Sequence, residues 1–400
     1  MRTSDRTHPW ISFRLDFSRA SPELWLGLGE AASKCEHISR VPLRPLTAEK
    51  LHRLYLAKGA AATTAIEGNT LSEADVLKAV EGKLTVPPSK QYLKQEVENV
   101  ITACNTITQQ IEAGSLPPLS PQLLSDYNRR VLTGLESSED AMPGEIRKHS
   151  VIVGNVYRGA PAKDCSYLLQ RLTDWLSGTD FAPPPGREMV YAIIKAVLAH
   201  LYIAWIHPFG DGNGRTARLL EFHILLAAGI PSPASHLLSN HYNQTRAEYY
   251  RQLDLASKSG GDVLPFISYA VRGFVDGLRT QLEFIWEQQW DVVWRNYVHE
   301  RFQNRNSASD SRQKHLALDL GEKQDWVPVS EIAGLSPRLA KAFANKTPKT
   351  MQRDLNALEG MNLISREGRK VRARREIILS FLPLRSKPGN HTPSLSSPTS

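Results

Sequence analysis

Between Met189 and Ile206 the chain is almost unbroken in apolar residues (Met-Val-Tyr-Ala-Ile-Ile-Lys-Ala-Val-Leu-Ala-His-Leu-Tyr-Ile-Ala-Trp-Ile), with neither glycine nor proline. A run of that length exceeds a strand, which spans roughly 4–8 residues, and predicts a buried helix. It is also long enough to cross a membrane, but Lys195, His200 and the polar stretch directly after it favour the interior of a folded domain. A second apolar segment, Leu219-Leu220-Glu221-Phe222-His223-Ile224-Leu225-Leu226, opens another helix, and Pro208 and Gly210 interrupt the pattern between the two. Together they predict a helix–loop–helix elbow.

Residues 1–100 read as mostly helical, with proline turns at Val41-Pro42-Leu43-Arg44-Pro45 and Val86-Pro87-Pro88, and helices continue through 101–300. One β-prone piece interrupts them. From Ser150 to Gly159, two short β-branched segments flank Gly154-Asn155, a two-residue hairpin signal. A lone hairpin is marginal by itself, and on these residues alone a surface ornament and a functional strand edge are equally open. The stretch from Gln303 to Ser311 is polar, so residues 301–311 are expected to be a linker. A compact module is expected over 312–382. There Thr347 caps a helix begun by Pro348, with Met351, Leu355, Leu358 and Met361 on one face, and Leu363 to Arg374 is hairpin-like. The Ser- and Pro-rich tail, 383–400, is expected to be disordered. The fold class is therefore mainly α, with one small hairpin in the helical part and a helix-turn-helix-like module after it.

Charge adds an asymmetry. Residues 301–400 carry 18 Lys and Arg against 9 Asp and Glu, whereas residues 1–300 carry 31 against 32. The whole positive excess lies in the last quarter, which suggests a module with an anionic partner. The three cysteines, Cys35, Cys104 and Cys165, are far apart and form no metal-spaced pair, as expected of buried thiols in a reducing compartment. No apolar leader stands at the N-terminus, so a soluble, cytoplasmic protein is expected.

The chemistry concentrates in the elbow, His207-Pro208-Phe209-Gly210-Asp211-Gly212-Asn213-Gly214-Arg215-Thr216-Ala217-Arg218. Glycines let backbone N–H groups converge on an anion at a helix N-terminus, and guanidinium groups grip phosphate oxygens. A carboxylate among them suits Mg²⁺, which is commonly held by one or two carboxylates plus substrate phosphates. A histidine beside that cradle is placed to act as general base. The reading is nucleotide phosphates held next to a base. His200, inside the apolar helix, is instead expected to be a core histidine.

This segment resembles the Fic (Fido) family motif H-x-F-x-[DE]-G-N-G-R-x-x-R, and every specified position is filled. The resemblance covers about residues 50–275 and implies a Fic-type helical core within a domain at 101–300. It implies transfer of AMP from Mg·ATP to a Ser, Thr or Tyr hydroxyl of a target protein or of the protein itself. Catalysis would fall to His207, Mg²⁺ to Asp211, and ATP phosphates to Gly212, Asn213, Gly214, Arg215 and Arg218. Phe209 would anchor the loop in the core. The segments around Asn243 and Tyr250 resemble the family's adenine-pocket border. The hairpin, with Val151, Val153, Val156 and Tyr157, resembles the family's target-docking flap, and Pro143-Gly144-Glu145-Ile146-Arg147 matches the approach to it.

Thr63-Thr64-Ala65-Ile66-Glu67-Gly68 ends an alanine-rich helix expected over about 54–67, with Gly68 past its end. Read alone, Glu67 is a solvated side chain at a helix end. The segment also matches the family's inhibitory motif, [ST]-x-x-x-E-[GN], which implies that Glu67, with Thr63 a turn before it, pairs with Arg218 and blocks productive ATP binding. The C-terminal module resembles a winged helix-turn-helix, with Lys349, Arg353, Arg369, Lys370 and Arg372 as DNA-contact candidates. Such modules also mediate protein contacts, so a transcription regulator with a nucleotide-sensing core stands as the alternative function. Removal of AMP, or transfer of another nucleotide, is a further one. The family resemblance also suggests a homodimer.

Overall fold

The computed structural model describes residues 2–136, 141–153, 157–323 and 325–379. The chain divides into two compact units, Met1–Phe284 and Ile285–Ser400. The first opens with α1 (Thr3–Thr7), α2 (Pro22–Arg40), α3 (Pro45–Ala65) and α4 (Glu73–Val80). It continues with α5 (Gln91–Glu112), α6 (Pro121–Val131), the strands β1 (Ile152–Val153) and β2 (Tyr157–Arg158), and α7 (Ala162–Leu176). The elbow helices are α8 (Glu188–Ile206) and α9 (Asn213–Ala227), followed by α10 (Ser232–Ser235), α11 (Leu237–Gln244) and α12 (Arg246–Lys258).

Helix α8 matches the apolar run. It is long and apolar enough to cross a membrane, yet 72% of its most apolar window is buried inside the fold. It packs along α9, and Leu219 and Phe222 of α9 join Leu56, Val97, Val100, Leu123 and Tyr127 from α3, α5 and α6 in one core. The elbow is thus clamped on both arms by buried apolar surface, which is what fixes the loop between them.

Two local features differ in detail from the sequence reading. Regular helix α3 ends at Ala65, and Glu67 projects from the closing turn instead of from the helix face. The turn is a Schellman closure: Gly68 N–H donates to Ala65 O at 3.0 Å, and Asn69 N–H to Thr64 O at 3.1 Å. Gly68 is left-handed there (φ +104°), as its place past the helix end requires. The hairpin pairs Ile152 with Arg158 and Val153 with Tyr157, antiparallel. Gly154, Asn155 and Val156 lie outside the described residues, and Val151 stands just before β1, its carbonyl accepting from Gly159 N–H at 3.2 Å.

The expected linker is corrected by the structure. Helix α13 (Leu264–Arg301) runs through residue 285, and its Trp294 and Val298, with Phe302, belong to the core of the second unit. The polar residues after Phe302 serve a helix start: Ser307 caps α14 (Ala308–Gly321), exchanging bonds with Asp310 in a capping box. A cap and a linker have the same composition, so polarity alone misplaced the boundary. The unit then adds β3 (Val327–Pro328), α15 (Pro337–Phe343), α16 (Pro348–Gly360), β4 (Ile364–Glu367) and β5 (Lys370–Ala373). The strands form an antiparallel sheet in the order β3-β5-β4, and Leu355, Leu358 and Met361 face the core as the helical spacing predicts. The expected disordered tail, 383–400, lies outside the described residues.

Candidate active site

His207 ends α8 in the left-handed region (φ 49°, ψ 60°), its N–H still donating to Ile203 O at 2.8 Å. A side chain there is uncommon and turns the chain sharply out of the helix. Phe209 is fully buried, as expected of the loop's anchor. Asn213 closes the loop around it: its Oδ1 accepts from Phe209 N–H and its Nδ2 donates to Phe209 O, both at 2.9 Å. The Asn213 side chain is therefore spent on the loop, which leaves its backbone N–H for an anion. Gly212 is left-handed (φ +75°) and precedes α9, whose first intrahelical bond is Thr216 N–H to Gly212 O. The N–H groups of Asn213, Gly214 and Arg215 have no partner within the helix and lie at its positive end.

Asn128, on α6 and fully buried, was not legible in the sequence. Its Nδ2 donates to Asp211 O at 2.8 Å and its Oδ1 accepts from Gly144 N–H at 2.8 Å. One amide thus joins the phosphate loop to the segment leading into the hairpin. Replacing Asn128 with Ala strands a buried carbonyl and N–H, each costing about 1–3 kcal/mol. The variant should melt several degrees below wild type in a calorimetric scan. An unchanged Tm would count against this role.

His207 is half-buried, its Nδ1 shut off from solvent, and desolvation lowers its pKa to about 4; the Ala204 carbonyl opposes this, the Arg147 cation adds to it, and Glu67 and Asp211 oppose it. The imidazole is therefore neutral at pH 7 and able to accept a proton. Arg147 donates from Nε to His207 O at 2.7 Å.

Arg218, fully buried on α9, donates from Nη2 to Glu67 Oε1 at 2.5 Å and to Thr63 O at 2.9 Å. The sequence-predicted pair is present, with Thr63 contributing its carbonyl and not its hydroxyl. Burial pushes the Glu67 carboxyl up, but the neighbouring guanidinium groups and His207 outweigh it and hold its pKa below the ordinary value. An added Cβ on Gly214 would collide with Glu67 Oε1, so the carboxylate lies against the first turn of α9, where an anion would sit. Arg246 of α12 donates to Ala65 O at 3.1 Å and to Ile66 O, which holds the Glu67 turn from the other side.

Arg215 is buried and doubly engaged. It reaches Asp211 Oδ2 at 3.0 Å and Glu96 Oε1 at 3.2 Å, and Glu96 Oε2 accepts from Asn69 Nδ2 at 2.8 Å. Arg215 and Arg218 are thus both paired with carboxylates. The side chain of Asp211 is 58% exposed. Tyr250 is also exposed, its hydroxyl 3.4 Å from Ile66 O beside the Glu67 turn. Asn243 is half-buried on α11, and among the described residues no hydrogen bond or ion pair joins it to the loop. His200 is a core histidine, as expected: Nε2 lies 2.8 Å from the Tyr249 hydroxyl and Nδ1 3.0 Å from Glu221 Oε2.

A helix–loop–helix with a half-buried neutral imidazole, unpartnered amides at a helix N-terminus and two arginines on its first turns is chemically suited to an anion beside a base. Residues 118–225 match the model of the Fic/DOC family. The chain is 31% identical over 210 residues to protein adenylyltransferase fic-1 of Caenorhabditis briggsae, covering 52% of this chain and 38% of that one. It is 32% identical over 214 residues to protein adenylyltransferase Fic of Nematostella vectensis, covering 52% and 45%. It thus spans less than half the length of these curated relatives. A Fic family protein from Desulfovibrio desulfuricans G20 shares the fold with a TM-score of 0.54 at 19% identity, over 88% of this chain and 96% of that one.

Proposed function

We propose that the protein transfers AMP from Mg·ATP to a hydroxyl of a protein segment, in trans or on itself, and that Glu67 restrains it. The observation that carries this is a neutral, half-buried His207 at the mouth of a helix N-terminus whose cradle Glu67 now fills. The names of the relatives, protein adenylyltransferase, support the same reaction class. His207 takes the proton of the acceptor hydroxyl as its oxygen bonds to the α-phosphorus. The bond from that phosphorus to the bridging oxygen breaks, and pyrophosphate leaves. Positioning and charge neutralisation carry most of such a rate.

Gly212, Asn213 and Gly214 supply backbone amides for the phosphates. Arg215 takes the β-phosphate and Arg218 the γ-phosphate, each exchanging its carboxylate for a phosphate. An exposed carboxylate beside a phosphate cradle suits Mg²⁺, so Asp211 would be the protein's ligand for it once Arg215 exchanges it for a phosphate. Phosphate oxygens and water would supply the remaining ligands. The bound ion would neutralise phosphate charge. Tyr250 borders the site beside Ile66, and Asn243 is the weaker of the two adenine-pocket assignments. Val151 and Val153 offer the hairpin edge for an extended acceptor peptide. Three buried free cysteines support a reducing, cytoplasmic setting.

The test is incubation with ATP labelled at the α-phosphate or, separately, at the γ-phosphate, comparing wild type, Glu67→Gly and His207→Ala. Protein labelled only from the γ-phosphate, or unlabelled in every variant, would refute the reading.

A second activity is favoured by the C-terminal unit, whose three helices and β3-β5-β4 sheet fit a winged helix-turn-helix. Lys349 and Arg353 on α16, and Arg369 and Lys370 at the β4–β5 turn, are exposed and form no ion pair among the described residues. Arg372 departs from the sequence assignment: it stacks on Trp326 at 4.9 Å and pairs with Glu376 at 3.3 Å, so it braces the sheet. In shift assays with the full chain, joint replacement of those four cations by Ala should weaken DNA binding and flatten its salt dependence by up to about four charges. Binding equal to wild type across salt would exclude them as the contact surface.

A further inference from the structure

Four main-chain carbonyls converge on one guanidinium. Arg147 donates from Nε to His207 O, from Nη1 to His149 O at 2.5 Å, and from Nη2 to Ala160 O and, at 3.4 Å, Ile206 O. The side chain is buried, and it pairs with no carboxylate among the described residues. His149 and Ala160 stand just outside the two ends of the hairpin, whereas Ile206 and His207 are the last turn of α8 and the base itself. Main-chain bonds repeat the connection: Arg147 N–H to Pro208 O at 3.0 Å and Ala160 N–H to Ile206 O at 3.2 Å. Tyr157, within β2, donates its hydroxyl to Trp205 O at 2.8 Å. Gly159 fits tightly between the parts, since an added Cβ would lie 3.0 Å from His207 Cβ and 3.1 Å from Arg147 Nη2.

We infer that Arg147 is a positioning residue that locks the left-handed backbone of His207 to both feet of the hairpin, so that a peptide docked on the hairpin edge sets the alignment of the base. The left-handed conformation is disfavoured for a residue with a Cβ and needs external restraint. Carbonyls arriving from different directions suit the planar fork of arginine; a lysine keeps the charge but gathers its donors at one atom. Arg147 makes no hydrogen bond to Gly212–Arg218, so its loss should spare nucleotide affinity and damage the chemical step. The link to peptide docking rests on the transfer reaction proposed above; the link between hairpin and base does not.

The experiment uses the full chain carrying Glu67→Gly, with Arg147→Lys and Gly159→Ala added separately. Gly159 is not left-handed, so its alanine variant should fold while pushing from the hairpin side by a few tenths of an ångström. Ring-labelled histidine NMR, with His207 assigned by its loss in His207→Ala, reads the coupling without any activity. Both variants should shift the His207 resonance. Arg147→Lys should cut the transfer kcat roughly ten- to hundredfold, the scale of a misplaced reacting group. ATP affinity by calorimetry should stay within about twofold of the parent, the signature of an interaction used in the chemical step. An unmoved His207 signal in both variants overturns the coupling. Parent-like kcat in Arg147→Lys overturns the fork, and an ATP affinity that falls with kcat overturns positioning in favour of general loop collapse. If the parent transfers no label, the proposed reaction fails, and the NMR result alone decides the hairpin–base link.

Discussion

Replacing Glu67 with Gly is expected to raise AMP transfer roughly ten- to thirtyfold, because a hydrogen bond to a charged group is worth about 1.5–3 kcal/mol and this one is partly solvated. The side chain of Glu67 is 32% exposed while its partner Arg218 is buried, so the lower half of that range applies. The carboxylate acts in two ways at once. It occupies the guanidinium intended for the γ-phosphate, and it places negative charge at the positive end of α9, against Gly214. A nucleotide entering the cradle has to displace it, or bind with its phosphates out of line. Removal of the side chain should therefore raise kcat and tighten ATP together. Arg218→Ala provides the counter-measurement: it releases the same brake but removes the γ-phosphate contact, so ATP affinity should fall. Equal label transfer by wild type and Glu67→Gly would end the assignment. The energy also sets a limit on regulation, since a partner that loosens the turn held by Arg246 and Asn69 needs to supply only the equivalent of that one contact.

What the sequence made legible follows the distance over which each residue acts. The elbow was legible because its chemistry is contiguous: base, glycines and arginines occupy one short segment, and two apolar runs announce the helices that hold it. The Glu67–Arg218 pair, far apart in the chain, was reachable only because Thr63 to Gly68 match a known pattern. Asn128, Arg147 and Glu96 were not reachable as site residues from composition or period. Each is a single polar residue whose partners are main-chain atoms or charges brought close by helix packing, and an isolated buried Asn or Arg leaves no periodic trace. The linker at 301–311 failed on composition, since Ser307 and Asp310 are as polar in a capping box as in a solvated tether. Arg372 differs from the other four cations because Trp326 and the nearby Glu376 engage its guanidinium.

Replacing His207 with Ala should lower label transfer by about 10²–10⁴-fold, the usual contribution of a positioned general base. The measurement belongs in the Glu67→Gly background, where the brake cannot mask the loss. Asn is the better second substitution, because it tolerates the left-handed backbone at φ 49° and so separates loss of the base from a rearranged loop. Both variants should keep ATP affinity, as the phosphate contacts lie with the α9 amides, Arg215 and Arg218. The pH profile supplies the sharper test. Burial depresses the His207 pKa to about 4, so the imidazole stays unprotonated well below the ordinary value of 6.5. The acid limb of kcat/KM, which reports the free enzyme, should therefore fall below pH 6, with activity present above that limb and lost as pH drops through it. Removing Glu67 takes away a negative charge that favours the imidazolium, which shifts the limb further down, while water admitted to the site shifts it up. A limb at 6.5 or above in the parent would mean that the imidazole is solvated in the working enzyme, and a profile unchanged in His207→Asn would assign the base to another group.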